Sequence, residues 1–315
     1  MGIEEAPTCF GFPFFVRAFS PGLVTSILIT YILAPLIQIN FSNIQLLNTF
    51  LHLPIIEKIL IIVIFSFIFG MILESMDFYI YQFLEGIRYW GPLWEPMHNR
   101  SLESVKSIKR DIISKKDLRK SISGAKELRE INNKIRSLSG KLRQYPYSEE
   151  SIEATALGNV ITEYEMYPEE QYGMNYNIYW TMLRYLLPDE IKNELDSRSA
   201  KADFIVYLTF IFLIFWPIVT VSAYTFFGST IAIITFVFWI IITYQVLYKL
   251  AINAHNYHSR YVKTVFDLYR IDLAKKLGLP LSICPNDDEK SIWNKYSFFL
   301  EDYDYLEDEL FHNVK

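Results

Sequence analysis

The chain has 315 residues, of which 51% are hydrophobic and 17% aromatic, and 30 Lys and Arg stand against 35 Asp and Glu for a net charge of −5. The apolarity is patchy: residues 204–248 carry no charge, whereas 99–146 are densely charged. This excludes an average soluble domain and fits a membrane protein with a sizeable water-exposed part. The net charge discriminates little, because it sums a basic middle and an acidic tail.

In chain order, MGIEEAP is acidic where a signal peptide is basic, so no removed leader is expected, and Gly2 matches a myristoylation context poorly. Phe10 to Phe15 is aromatic, is broken by Pro13, and suits a membrane interface. Ser20 is predicted to cap a helix with Pro21 in its first turn. The uncharged run from there to Gln38 is the first span, kinked near its far end by Pro35. After a neutral link from Asn40 to Ile56, Glu57 and Lys58 introduce ILIIVIFSFIFGMIL, the second span. It continues without a breaker into ESMDFYIYQFLEGIRYW, which predicts one long helix leaving the membrane near Glu74 and ending at Gly91. Forty-five uncharged residues are too long for one crossing of a core about 30 Å thick, so Phe204–Thr225 and Ser229–Tyr248 are read as two spans joined by a tight turn at Gly228.

The links near 40–56 and 226–229 hold almost no Lys or Arg, while Arg100 to Arg143 holds fourteen against five Asp and Glu. The positive-inside rule then puts both termini and the middle segment in the cytoplasm of a cell whose inner membrane the chain crosses four times. Cys9 and Cys284 both fall on that side, so no disulfide is expected. The predicted organisation is 1–98, an interfacial segment with two spans and an extension; 99–203, a helical cytoplasmic domain; 204–250, two spans; and 251–315, a cytoplasmic helix with an acidic tail. Within the middle, 101–143 reads as two basic helices parted at Ser123-Gly124. Leu128, Ile131, Ile135, Leu138 and Leu142 form a pairing seam. A helix–turn–helix over 148–200 follows: Ser148 caps its first helix, Pro168 stops it, Tyr172-Gly173 turns, and Pro188 starts a short helix back to the membrane. The fold class is all-α.

Leu157-Gly158-Asn159, Glu165, Tyr167-Pro168, Tyr172-Gly173, Trp180 and Leu186-Leu187-Pro188, with FDLYRIDLAKKLGLPL from Phe266 to Leu281, resemble a largely uncharacterised family of prokaryotic multi-pass membrane proteins. The likeness covers roughly residues 150–290 and implies no assigned chemistry. By layout rather than motif, the chain also resembles channel effectors of bacterial anti-phage defence such as the Hailong type. That resemblance implies a membrane channel controlled by an oligonucleotide signal.

Among the polar residues, Asn159, Glu165, Arg184 and Arg270 read either as a ligand site or, as the commoner outcome, as a buried network fixing helices. Glu74 and Asp77, three apart on one predicted helix, either ring a cation-concentrating mouth in an oligomer or hydrate a helix end. Ser26, Thr30 and Ala34 form a small-residue stripe that packs closely or lines a pore, packing being commoner. Lys109, Arg110, Lys115, Lys116, Arg119 and Lys120 suit a nucleic-acid signal, anionic lipid or plain solvation. No aromatic residue lies in 101–143 for base stacking. His255 and His258 make two of four zinc ligands, too few for a metal site. No catalytic or cofactor motif occurs, so neither an enzyme nor a cofactor is expected. The leading expectation is a homo-oligomeric ion channel in membrane lipid, gated by its cytoplasmic domain through an oligonucleotide or other anionic ligand. The alternative is a non-conducting anchor that presents its cytoplasmic helices to a protein partner such as an operon-encoded one.

Overall fold

The computed structural model describes residues 12–40, 49–50, 53–88, 90–122, 124–280 and 289–300. Gly2, Cys9, Cys284, most of the link after the first span, Ser123 and the acidic tail from 301 onward lie outside the described residues. Among the described residues the chain is all-α, with no strand. Four helices are long and apolar enough to cross a membrane. They are α1 (12–40), α2 (Ile55–Ser75), α8 (Asp189–Phe227) and α9 (Ser229–Leu277). Between them lie α3 (Asp77–Glu85), α4 (Trp94–Ser121), α5 (Ala125–Leu142), α6 (Ala156–Tyr172) and α7 (Tyr176–Leu186), and α10 covers 289–300. The chain divides into two compact units, Met1–Leu84 with Asp196–His255, and Glu85–Leu195 with Asn256–Lys315.

In the first unit, α1 and α2 approach to backbone contact. A Cβ added at Gly22 would lie 2.7 Å from the Gly70 amide nitrogen, and one at Gly70 would lie 2.7 Å from the Ala18 carbonyl oxygen. Small residues permit such closeness where no water drives association. Hydroxyls inside the apolar helices are satisfied locally: Thr25, Ser26, Thr209, Thr220 and Thr243 each donate to the carbonyl four residues earlier. Trp239 donates its indole N–H to the Phe212 carbonyl at 2.7 Å while the two rings stack at 4.5 Å. Polar groups in an apolar solvent have no other recourse. The outer faces stay open and apolar. Ile59, Leu60, Ile64 and Met71 on α2, and Ile233, Ile234 and Phe238 on α9, are exposed in the lone chain.

Three local features depart from expectation. Ser20 does not cap α1 but sits inside it, donating to the Phe15 carbonyl at 2.7 Å. Pro21 follows a π-helical turn at Phe15–Phe19, and Pro35 follows another at Ile29–Leu33. A proline lacks the N–H and crowds the preceding turn; a widened turn accommodates both, so the helix is not interrupted. The predicted long helix from Glu57 to Gly91 is two helices. Met76 (φ −92°, ψ 3°) parts α2 from α3, and Gly86 at φ 85° follows α3's end. Glu74 and Asp77 therefore do not share a helix face. The short helix expected at Pro188 is fused with the third span into the 39-residue α8.

In the second unit, α4 packs on α5, with Val105, Ile112 and Ile131 buried. Ser148 caps only a 3-10 turn, Glu149–Ser151; Thr155 caps α6, its Oγ1 accepting from the Gly158 N–H at 3.0 Å. Helix α6 passes Pro168 and stops at Gly173 (φ 75°), where the Gly173 and Met174 N–H groups bond the Glu169 and Pro168 carbonyls at 2.9 and 3.1 Å. The left-handed conformation favours glycine. So does the 2.7 Å approach that a Cβ would make to the Lys290 carbonyl oxygen. The stop is therefore the glycine rather than the proline.

Gly22→Val forces a branched side chain against the α2 backbone. A loss of about 1–3 kcal/mol is expected from overpacking, read as a lower thermal unfolding midpoint in detergent; an unchanged midpoint would show that the helices part at no cost.

Candidate functional site

Three polar settings stand out. The first lies along α4, where Arg100, Glu103, Ser104, Lys106, Lys109 and Arg110 are among the residues that line an open hollow of about 840 Å³. Glu149 reaches into this positive field, 3.2 Å from Lys109 and 3.6 Å from Lys106. Hydrogen bonding from Lys109, with both lysine charges, holds its carboxyl below the usual range. Arg110, Lys116, Arg119 and Lys120 are exposed; Lys109 and Lys115 are half-buried. Lys120 pairs with Asp117 at 2.9 Å. Exposed ion pairs of this kind contribute little stability.

The second setting is the polar core of the second unit. Asp267 Oδ1 accepts hydrogen bonds from Tyr172 at 2.7 Å and Tyr167 at 2.8 Å. Burial, then the bond to Asp267, pushes the Tyr172 hydroxyl up to about 12, and the Tyr167 hydroxyl is pushed higher by the same causes. Arg270 lies 4.2 Å over the Tyr172 ring and bonds Glu289 at 2.9 Å; Glu289 is only 2% exposed. Lys263 pairs with Glu163 and sits 5.0 Å over the Tyr167 ring. Fully buried Trp293 meets Tyr179 edge-on at 4.9 Å, and the Tyr179 hydroxyl donates to its carbonyl. Breaking a buried pair strands a charge, so these contacts hold α10 against α7 and α9.

The four residues predicted as one network fall into three places. Asn159, fully buried, accepts from the Glu153 N–H and donates to the Glu153 and Thr155 carbonyls and to Ser101. Arg270 serves Glu289 and the Asp267 carbonyl. Glu165 and Arg184 act with opposite sign on the Tyr176 hydroxyl. Each side chain is used by its own neighbours, which spacing along the chain does not disclose. Glu165 keeps one side open to water, yet the protein crowded around it pushes its carboxyl from 4.5 up to about 7.

The third setting lies in the first unit. Arg17 contacts Asp77 at 3.1 Å and Asp203 at 3.3 Å. Tyr207 donates to Asp77 at 2.7 Å, Ser199 donates to Asp203 at 3.3 Å, and Tyr81 donates to Asp203 at 2.5 Å. The Tyr81 oxygen is 3.1 Å from His255 Nε2. Of the residues predicted for a pore, Asp77 belongs here, while Glu74 is exposed. Ser26, Thr30 and Ala34 are 2%, 8% and 5% exposed. Ser26 lies 3.5 Å from Ser66 of α2, so this stripe is covered within one chain. His258 does not join His255; it meets the Tyr164 ring at 5.9 Å. No three His, Cys, Asp or Glu side chains among the described residues gather to hold a metal. Sequence reasoning missed Arg17, Tyr81, Asp203 and Tyr207. The one signal was position: Arg17 stands alone in an uncharged stretch, and Asp203 is the last charge before the uncharged run 204–248.

Asn159→Leu strips the Glu153 carbonyl and N–H of their side-chain partner, while the Thr155 carbonyl keeps the backbone N–H of residue 159. Each stranded group costs about 1–3 kcal/mol, so a clear drop in the unfolding midpoint is expected from calorimetry. For Glu165 the sign follows from proton binding. Between pH 4.5 and about 7 the folded chain retains a proton that the unfolded chain has released, so stability falls as pH rises through that window. Partial exposure makes the slope shallower than full burial would. Glu165→Gln flattens this slope in melting curves taken across the window. Comparison of the chain with protein-family models, with curated proteins and with solved structures finds no match in any of the three.

Proposed function

We propose that the protein is a homo-oligomeric ion channel of a cell inner membrane, with both termini cytoplasmic. Its water-exposed helices respond to a phosphate-rich ligand, of which a short oligonucleotide acting in anti-phage defence is the leading candidate. The observation that carries this reading is the continuity of α8 and α9. At 1.5 Å per residue these 39- and 49-residue helices extend about 58 and 73 Å, roughly twice a hydrocarbon core. Each joins an apolar window to charged turns without a flexible link, so a ligand that favours one position of the charged part biases the apolar part as well. The positive field along α4 supplies the matching chemistry, since phosphate contacts dominate nucleic-acid affinity. One chain's four helices leave little lumen, so conduction requires copies about an axis.

A non-conducting anchor for a protein partner is the second reading. It is favoured by the open faces of α2 and α9, which are apolar, and by the burial of the small-residue stripe of α1 within one chain.

Planar-bilayer recordings of the full chain with and without a short single-stranded oligonucleotide separate the two. A channel gives ligand-dependent current steps that are lost when Lys115, Lys116, Arg119 and Lys120 are all changed to Gln. Binding should weaken with salt by about 0.7 log units per log unit for each phosphate contact. Silent bilayers from a monomer or dimer leave the anchor standing; salt-insensitive or absent binding removes the oligonucleotide.

A further inference from the structure

We propose that Asp203, Tyr81 and His255 form a proton relay that switches one of the two ion pairs of Arg17. Four helices contribute to it: α1 gives Arg17, α3 gives Asp77 and Tyr81, α8 gives Ser199, Asp203 and Tyr207, and α9 gives His255. Among the described residues, these are the charged and titratable groups joined there by ion pairs or hydrogen bonds. The closest neighbours of α1 from α2 are uncharged, namely Ser66, Phe67 and Gly70.

Charge counting comes first. One guanidinium faces two carboxylates, and the Asp203 side chain is only 8% exposed. With both acids ionised the cluster carries one surplus negative charge, and for Asp203, the carboxylate withdrawn from water, that is a costly condition that a single proton removes. The hydrogen bonds show the route. An ionised carboxylate only accepts, so the one proton of the Tyr81 hydroxyl points at Asp203 Oδ1. The 3.1 Å contact to His255 must then be made by an Nε2–H donating to the Tyr81 oxygen, which leaves Nδ1 as the basic nitrogen.

A proton that attaches to Nδ1 makes an imidazolium. Its Nε2 proton passes to the Tyr81 oxygen as the tyrosine's own proton passes to Asp203 Oδ1. The product is a neutral carboxylic acid donating to Tyr81, a Tyr81 hydroxyl donating to Nε2, and a neutral imidazole with its proton on Nδ1. Three protons enter the count and three remain. Asp203 has lost its attraction for Arg17, which keeps Asp77. The same steps reversed recharge it. The relay stands whether or not the protein conducts.

The test is the carboxylic-acid C=O stretch in infrared difference spectra of the full chain in lipid vesicles, acidified from about pH 8 to about pH 5, the range in which histidine titrates. Spectra are taken in a Glu165→Gln background to remove a carboxyl that burial pushes up to about 7. A deuterium-sensitive band is expected that disappears in Asp203→Asn. Its midpoint should move by about one pH unit or more in both Tyr81→Phe and His255→Gln. Tyr81→Phe leaves every charge and ion pair in place, so the relay remains testable if the Asp203 variant does not fold. A band that survives Asp203→Asn, a midpoint unmoved in either of the other variants, or no titrating band in the parent overturns the relay.

Discussion

Arg17 held between Asp77 and Asp203 is the interaction on which the apolar unit depends. Charges removed from water must be paired and hydrogen-bonded, and here two tyrosines and a serine complete the carboxylates' shells. Apolar contact between helices confers little orientation when the surrounding solvent is as greasy as the helices. A directional cluster does confer it, tying the start of α1 to α3 and α8. The break at Met76 makes sense in this light. A helix continuing smoothly from α2 would carry Asp77 elsewhere, and the turn at Met76 delivers it to Arg17 and Tyr207.

The second unit solves the same problem differently. Its polar core is built from tyrosines, which bring a large apolar ring and one donor on a single side chain. Tyr167 and Tyr172 converge on one carboxylate oxygen of Asp267, and Arg270 covers the Tyr172 ring while it pairs with Glu289. Asn159 uses its carbonyl and its amide group to lock the turn before α6. The tyrosine-rich stretch from Leu157 to Trp180 is therefore a frame.

The four apolar helices were legible in the sequence because length and charge-free composition are set by the hydrocarbon core rather than by neighbours. Gly228 was legible as a turn because positive φ favours glycine at low cost, and Gly173 was legible as a turn but not as the stop, which was placed at Pro168. Cap signals were less decisive: Ser148 and Thr155 compete within eight residues, and the α-helix begins at the later one. Pro21 and Pro168 illustrate how a local rule yields to its surroundings, the first through a widened turn and the second by lying one turn before a glycine stop. Met76 carries no breaker signal at all. The Arg17 cluster and the Asp267 core join residues far apart in the chain, and nothing in periodicity or spacing brings them together.

The π-helical stretch Ile242–Tyr248 in α9 has a geometric consequence. Unlike the widened turns of α1, it precedes no proline, so no missing N–H holds it open. Such a stretch contains one residue more than α-helical pairing uses. Closing it would wind the helix beyond it by about 100° and draw it along the axis by about 1.5 Å. His255 lies two turns further on, so α9 has a discrete screw step built in between its greasy stem and the imidazole that touches Tyr81.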